Sequence, residues 1–382
     1  MKKLLALLAA LVLAGGLAVP ALAGECLVEN TSYSVGAKAA VVMEAQTGRL
    51  LFAQEADTPL PMASTTKIMT ALLALEQENI DEEFVVDPAA IRVEGSSMGL
   101  TEGDTVTLRA LTGGMLMASG NDGANAVAVR IAGDIPAFAE LMNARAAGIG
   151  MENTHFVTPS GLDDPEHYST ARDMALLARE ALKNPVFAEM SAARRLSLTY
   201  GNPPYQRTLS NHNRLLSLYP DAIGVKTGFT KKSGRCLVSA ARRDGVTLIV
   251  VTLSCGDDWN THKALYERYF PKVGSRELKP EGEIRVPVTG GTFADVEVRQ
   301  ISRLHTVDIR GQEDPVNTTI YAPNFLYAPV LGGDIVGKIV YDRDGTVIGE
   351  SLLAAVEPVP AKSLPVPDQP GLWEKLLAFL GR

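Results

Sequence analysis

Three short motifs constrain this chain more than anything else in it: Ser64-Thr65-Thr66-Lys67, then Ser119-Gly120-Asn121 after 55 residues, then Lys226-Thr227-Gly228 after another 107. Each is weak alone. A serine with a lysine three residues on is usually a helix cap and a solvated amine. Ser-Gly-Asn is commonly a helix cap, and Lys-Thr-Gly an exposed strand end. Their order carries more weight, because each falls in the local structure that one shared chemistry requires. A fold that uses them has to bring a helix start, a helix break and a strand to one cleft.

The surrounding pattern supplies those settings. Residues 36 to 56 read as a hairpin, with Gln46-Thr47-Gly48-Arg49 as its turn. Thr66 to Glu78 is helical and apolar almost all round, as in a buried helix. Leu108 to Met117 and Ala124 to Ala132 form two more helices, interrupted by Ser119-Gly120-Asn121-Asp122-Gly123. Further helices fit Ile135 to Ala147 and Ala171 to Leu182, the latter capped by Ser169-Thr170. Cys236 to Arg242 and Thr247 to Ser254 are strong strands joined through Asp244-Gly245, and His262 to Phe270 reads as a closing helix. A sheet from the first and last thirds, with helices from the middle, is an α/β arrangement that is not doubly wound.

Serine attacks only when a nearby base takes its proton. Positions i and i+3 share a helix face, so Lys67 rises beside Ser64. Lysine serves as that base when burial and neighbouring positive charge lower its pKa. The helix start and the Ser64 backbone N–H also favour an oxyanion. A hydroxyl at Ser119 can pass the proton to a leaving amine, while the Asn121 amide can hold Lys67 and a substrate carbonyl. Lys226-Thr227-Gly228 reads as the start of a strand along which a substrate lines up. There Gly228 permits close approach, Thr227 donates to a carboxylate, Lys226 supplies charge, and Phe229 offers a second oxyanion N–H.

Lys2 and Lys3, the apolar run Leu4 to Leu17 and Ala21-Leu22-Ala23 form an export signal over residues 1–23. Removing its two lysines takes the net charge from −8 to −10, which argues against nucleic acid as a partner. Cys26 stands two residues too late to be a lipoprotein cysteine. If Arg243 pairs with Val246, Cys236 and Cys255 are diagonal neighbours, too far apart for a disulfide without a register slip. The five histidines, at 155, 167, 212, 262 and 305, lack metal-ligand spacing, and no cofactor is expected.

From about Val273 the pattern turns to alternating strands, with a hairpin turn at Asp342-Arg343-Asp344-Gly345. We expect a catalytic domain over 24–272 and a small all-β domain over 273–357. Prolines at 358, 360, 365, 367 and 370 make 358–370 a semi-rigid linker. Over 371–382, Leu372, Trp373, Leu376, Leu377, Phe379 and Leu380 fall at helical spacing, flanked by Lys375 and Arg382. That composition suits a helix lying in a membrane interface, and it is too short to span a bilayer.

At these motifs the chain resembles the D-alanyl-D-alanine carboxypeptidases, the low-molecular-mass penicillin-binding proteins. Ala63 to Thr70, Ser119 to Asp122, Gly161-Leu162-Asp163 and Ser169 to Met174 carry the same likeness. The resemblance implies a penicillin-binding-protein or β-lactamase-like catalytic domain, in which an antiparallel sheet has helices on both faces plus a helical subdomain. It implies Ser64 as the acylated residue, Lys67 as its base, and Ser119 with Asn121 as the second element. Lys226 and Thr227 then recognise the terminal carboxylate of a peptidoglycan stem peptide. The implied reaction removes the last D-alanine through an acyl-enzyme, and a β-lactam acylates the same serine. A monomer at the outer face of the cytoplasmic membrane is expected. A D,D-endopeptidase uses identical chemistry and stays open. A class A β-lactamase needs a Glu-x-x-x-Asn pattern that the stretch before Ser169 lacks, and a silent binding module would not need both Ser64 and Lys67.

Overall fold

The computed structural model describes residues 33–311, 313–363, 371, 376 and 379–381. The proposed leader, Cys26 and most of the tail helix therefore lie outside the described residues. The chain divides into two compact units, residues 1–275 with 307–312, and residues 276–306 with 313–382.

The first unit is built on a five-stranded antiparallel sheet. Its strands are β1 (Ala37–Glu44), β2 (Leu50–Gln54) and, from the far end of the unit, the three numbered β7 to β9 below. Between them run α1 (Lys67–Leu75), β3 (Phe84–Val85), β4 (Thr105–Val106), α2 (Leu108–Ala118), α3 (Asn121–Ala132), α4 (Ile135–Ile149), α5 (Ala171–Ala181) and α6 (Pro185–Ala192). Then follow β5 (Arg195–Gly201), β6 (Pro204–Ser210), α7 (Leu215–Leu218), β7 (Ala222–Thr230), β8 (Gly234–Arg243), β9 (Val246–Cys255) and α8 (Asp258–Tyr269). The sheet order is β2-β1-β9-β8-β7.

The central strands are apolar on both faces, which explains the unbroken Leu248 to Val251 run. Ala39, Val41 and Met43 of β1 face one core with Ile249, Val251 and Leu253 of β9. Ala40, Val42, Leu248 and Val250 face the other, beneath Leu265, Tyr266 and Tyr269 of α8. The α1 helix is buried along its whole length, as its all-round apolar sequence requires. Thr107 and Thr170 cap α2 and α5 by accepting the backbone N–H groups of Ala110 and Asp173. The Asp-Gly turn between β8 and β9 has positive φ at both residues, 50° at Asp244 and 80° at Gly245, matching the twist of the hairpin. Arg243 does pair with Val246, and Cys236 and Cys255 are both free and buried.

The small sheet β3-β4-β5-β6 and helix α6 were not legible in the sequence. Two of its strands have only two residues, below the length at which alternation can be recognised.

In the second unit, a six-stranded sheet packs around its own core of Val286, Val288, Val296, Val298, Ile339, Tyr341 and Leu353. Its elements, after the lead-in strand β10 (Val273–Leu278), are β11 (Ile284–Thr289), β12 (Asp295–Gln300), β13 (Leu304–Ile309), β14 (Asn317–Tyr321), β15 (Leu326–Tyr327), β16 (Ile335–Arg343) and β17 (Thr346–Ala355). The sheet order is β14-β16-β17-β12-β11-β15, with β13 outside it. Among the described residues no helix is long and apolar enough to cross a membrane.

One buried polar cluster in the first unit ties stability to pH. Ser239 Oγ lies 2.6 Å from His262 Nδ1, and Thr252 Oγ1 lies 2.9 Å from Nε2. Burial pushes the pKa of His262 down to about 3. Between that value and its ordinary 6.5, the unfolded chain binds a proton that the folded chain refuses, so stability falls on acidification. We expect His262→Asn to flatten the decline in urea-unfolding free energy between about pH 6 and pH 5 by up to about 1.4 kcal/mol per pH unit. An unchanged slope in the variant would show that His262 does not carry this dependence.

Candidate active site

Ser64 stands on a 3-10 turn, Ala63–Thr66, that leads directly into α1. The tighter turn replaces the α-helical first turn expected from the sequence, yet keeps i and i+3 on one face. Ala63, just before Ser64, has φ of 50°, a left-handed conformation that costs an alanine about 1–2 kcal/mol. Strand β7 presses against this turn. A Cβ added at Gly228 would lie 2.9 Å from Met62 O and 3.1 Å from Ser64 N. Glycine is therefore needed there for strand and turn to touch.

Lys67 is fully buried, and its Nζ has three neighbours. Ser64 Oγ lies at 2.9 Å, Asn121 Oδ1 at 2.7 Å and the Ser160 carbonyl oxygen at 2.6 Å. Burial, then the charge of Lys226, hold its pKa well below 10.5, while Asp122 opposes the shift. A neutral amine has two N–H donors and one lone pair. In that neutral form, with the two carbonyl oxygens accepting both donors, the lone pair would be left to accept from the Ser64 hydroxyl.

Ser119 and Asn121 sit where the sequence places the helix break. Ser119 ends α2 with φ of 58°, and Gly120 precedes α3. Asn121 Nδ2 donates to Glu94 O at 2.7 Å, which fixes its Oδ1 toward Lys67. The side chain is buried and one of its two N–H donors is taken, and in this structure Asn121 positions the lysine. The second N–H of the amide leaves the expected reach to a substrate carbonyl open. The neighbouring Asp122 accepts from Ser97 Oγ and from the backbone N–H groups of Met98, Gly99 and Leu100, fixing the loop beside it.

Lys226 lies within β7, not at its start, and is also buried. Its Nζ donates to Ser119 Oγ at 3.1 Å and Thr227 O at 2.8 Å, and burial lowers its pKa to about 7. Thr227 is half-buried, and Phe229 is 66% exposed. All three motifs thus converge: Lys67 bonds Ser64 and Asn121, Lys226 bonds Ser119, and Gly228 lies against Ser64.

Sequence reasoning missed a fourth segment. His167 Nδ1 accepts from the Val157 and Thr158 backbone N–H groups at 3.0 and 3.3 Å, so the proton sits on Nε2, 2.8 Å from Thr66 Oγ1. Burial lowers the pKa of this histidine to about 4, keeping it neutral. It pins the segment whose Ser160 carbonyl orients Lys67, and Thr70 Oγ1 donates to Pro159 O in the same segment. Glu166, next to it, is exposed and makes no bond to the serine among those described.

The low pKa of Lys226 gives a proton-linkage expectation. Near pH 8.5 its amine is mostly neutral, and a carboxylate placed beside it restores the charge. A peptide ending in D-alanyl-D-alanine should take up close to one proton when it binds Ser64→Ala at about pH 8.5, and far less at about pH 5.5. Calorimetry in buffers of differing ionisation enthalpy measures this, and equal uptake at both values would remove Lys226 from carboxylate recognition.

The D-alanyl-D-alanine carboxypeptidase model of the Peptidase S11 family matches residues 26–256. The chain is 30% identical to D-alanyl-D-alanine carboxypeptidase DacF of Bacillus subtilis over 337 residues, covering 84% of this chain and 85% of that one. It is 33% identical to a D-alanyl-D-alanine endopeptidase of Pseudomonas aeruginosa over 219 residues, 56% of this chain and 70% of the relative. The structure of penicillin binding protein 5 from Haemophilus influenzae superposes with a TM-score of 0.61 at 28% identity, covering 87% of this chain and all of that one. By its motifs, its fold and these likenesses, the chain belongs to the Peptidase S11 family of D-alanyl-D-alanine carboxypeptidases.

Proposed function

We propose that Ser64 is the residue acylated when this serine peptidase removes the terminal D-alanine from a peptidoglycan stem peptide. The observation that carries the reading is the 2.9 Å approach of the buried, pKa-lowered Lys67 amine to Ser64 Oγ. The Ser64 proton passes to Lys67 as Oγ bonds the carbonyl carbon of the penultimate D-alanine. The Ser64 and Phe229 backbone N–H groups receive the oxyanion. Lys226 and Thr227 hold the terminal carboxylate, and Ser119, bonded to Lys226, relays a proton to the leaving amine. Breakage of the C–N bond releases D-alanine, and a water deprotonated by Lys67 then hydrolyses the ester.

A β-lactam acylates the same serine, since its amide and carboxylate occupy the same groups. All three motifs come from one chain, which supports a monomer as the working unit. The leader over 1–23 and the apolar tail support export and attachment at the outer face of the cytoplasmic membrane. Most of that tail lies outside the described residues. Within it, Leu376, Phe379 and Leu380 are helical and 47, 84 and 70% exposed.

Fluorescent penicillin should label the chain and fail to label Ser64→Ala, read by gel fluorescence. A labelled variant would place the nucleophile elsewhere. Release of free D-alanine from a pentapeptide is the expected activity. The endopeptidase relative keeps a second reading in play, favoured if crosslinked dimers are cut and no D-alanine appears.

Deleting residues 371–382 should leave an active enzyme in the soluble fraction. Sedimentation of that truncated protein with membranes, its leader removed, would contradict anchoring by the tail.

A further inference from the structure

The second unit ends in an apolar tip, and the chain leaves from the middle of it. Val330 and Val359 exchange both backbone hydrogen bonds, Thr292 N donates to Pro360 O, and Lys362 N donates to Gly290 O. These bonds fix the exit strand between the turn joining β11 to β12 and the segment after β15. Each flanking segment carries a large exposed apolar side chain. Phe293, in the β11–β12 turn, is 64% exposed. Leu331, next to Val330, is 62% exposed, and Tyr327, paired with Thr289, is 73% exposed. Phe325 is 46% exposed and packs edge-on to Tyr327 with ring centroids 5.2 Å apart. The carboxylate among them, Asp334, accepts from Leu331 N at 2.7 Å and is turned into its own loop.

We propose that this tip, Phe293, Phe325, Tyr327 and Leu331, enters the lipid interface beside the tail, so that the β domain itself contacts the membrane. The inference rests on the membrane reading of the tail. Continuity of the chain selects lipid as the occupant. Within the expected 358–370 linker Ser363 is the last described residue, and eight residues later Gly371 opens the tail. At about 3.1 Å per residue for a proline-rich segment, the tail begins within about 25 Å of the tip. A bilayer surface that holds the tail is therefore within reach of these side chains. Tyrosine and phenylalanine suit that zone, since a ring can sit among acyl chains while a phenol stays hydrated. A tip of four side chains from three segments also falls short of the roughly 20–30 residues a side that a stable protein interface engages.

Nitroxide labels test the proposal on the exported chain with Cys26→Ser, where the remaining cysteines, Cys236 and Cys255, are buried. Labels go on Phe293→Cys, Leu331→Cys and, in the tail, Phe379→Cys. Ile301→Cys, exposed at the other end of β12, is the control. With vesicles of phosphatidylethanolamine and phosphatidylglycerol, positions 293, 331 and 379 should lose accessibility to a nickel chelate and gain it to oxygen, while 301 stays aqueous. Entry of 379 alone overturns the proposal and leaves the tail reading standing. Entry of none overturns both. Immobilisation at 293 and 331 that grows with protein concentration in the absence of vesicles assigns the tip to a second copy of the chain, and also overturns it. The triple variant Phe293→Ser, Tyr327→Ser, Leu331→Ser should bind vesicles about tenfold more weakly while keeping penicillin labelling, and unchanged affinity counts against the tip.

Discussion

The site depends on one amine kept away from water. A lysine in water holds its proton and cannot accept another, so the base role proposed for Lys67 depends on α1 being buried from end to end and on its own side chain being fully buried. Burial alone would leave a polar group unsatisfied, which the protein avoids by supplying carbonyl oxygens from two other segments. Those acceptors have a second effect. On the proposed reading, occupying both N–H bonds of the neutral amine would turn its lone pair toward the serine, so the hydrogen bonding that satisfies the buried group would also set its direction of reaction.

The second buried amine reinforces the first. Two ammonium groups in one dry cleft repel, and the charge of Lys226 is among the causes that lower the pKa of Lys67. Asp122 pulls the other way but spends its oxygens on the Ser97–Leu100 loop, so its bonds hold that loop and it does not form an ion pair with the base. Lys226 itself sits near 7, which makes its charge conditional on what lies beside it. A substrate carboxylate brings the counter-charge that such a group lacks in the folded protein. On the proposed reading, recognition of a free C-terminus would thus be electrostatically coupled to the state of Lys67.

Much of this was legible in the sequence because the signals are local. The i, i+3 spacing of Ser64 and Lys67 survives the change from α to 3-10 geometry. The Asp-Gly turns fixed their hairpins, and a register counted from Arg243 and Val246 kept the two cysteines apart. The α2–α3 break at Ser119 follows from a residue that ends one helix in a left-handed conformation before the next begins. Two-residue strands have no period to read, so β3 and β4 left no trace, and the sheet they join with β5 and β6 was invisible. Lys226 was placed at a strand start because the flanking residues Ala222 to Val225 carry no strong alternation, yet pairing with β8 extends the strand through them.

The role of the segment from Val157 to Gly161 was beyond reach for a different reason, although Gly161 opens one of the stretches that carry the family likeness. Its contribution is a backbone carbonyl, and every residue has one, so no residue type marks Ser160 as a partner of Lys67. What distinguishes the segment is how tightly it is held. His167 accepts two of its N–H groups, Thr158 Oγ1 accepts from Gly161 N, and Gly161 adopts φ of 81° against the nucleophile turn. A Cβ at Gly161 would fall 2.0 Å from Ala63 O, so any side chain there must displace either the serine's turn or the lysine's acceptor. The neutral state of His167 matters for the same reason. Protonated, it could no longer accept at Nδ1, and the segment would lose the anchor that aims its carbonyl at the amine. Lys67 is therefore oriented by a loop with no acid or base aimed at the serine, held in place by a glycine that leaves room and a histidine that stays uncharged.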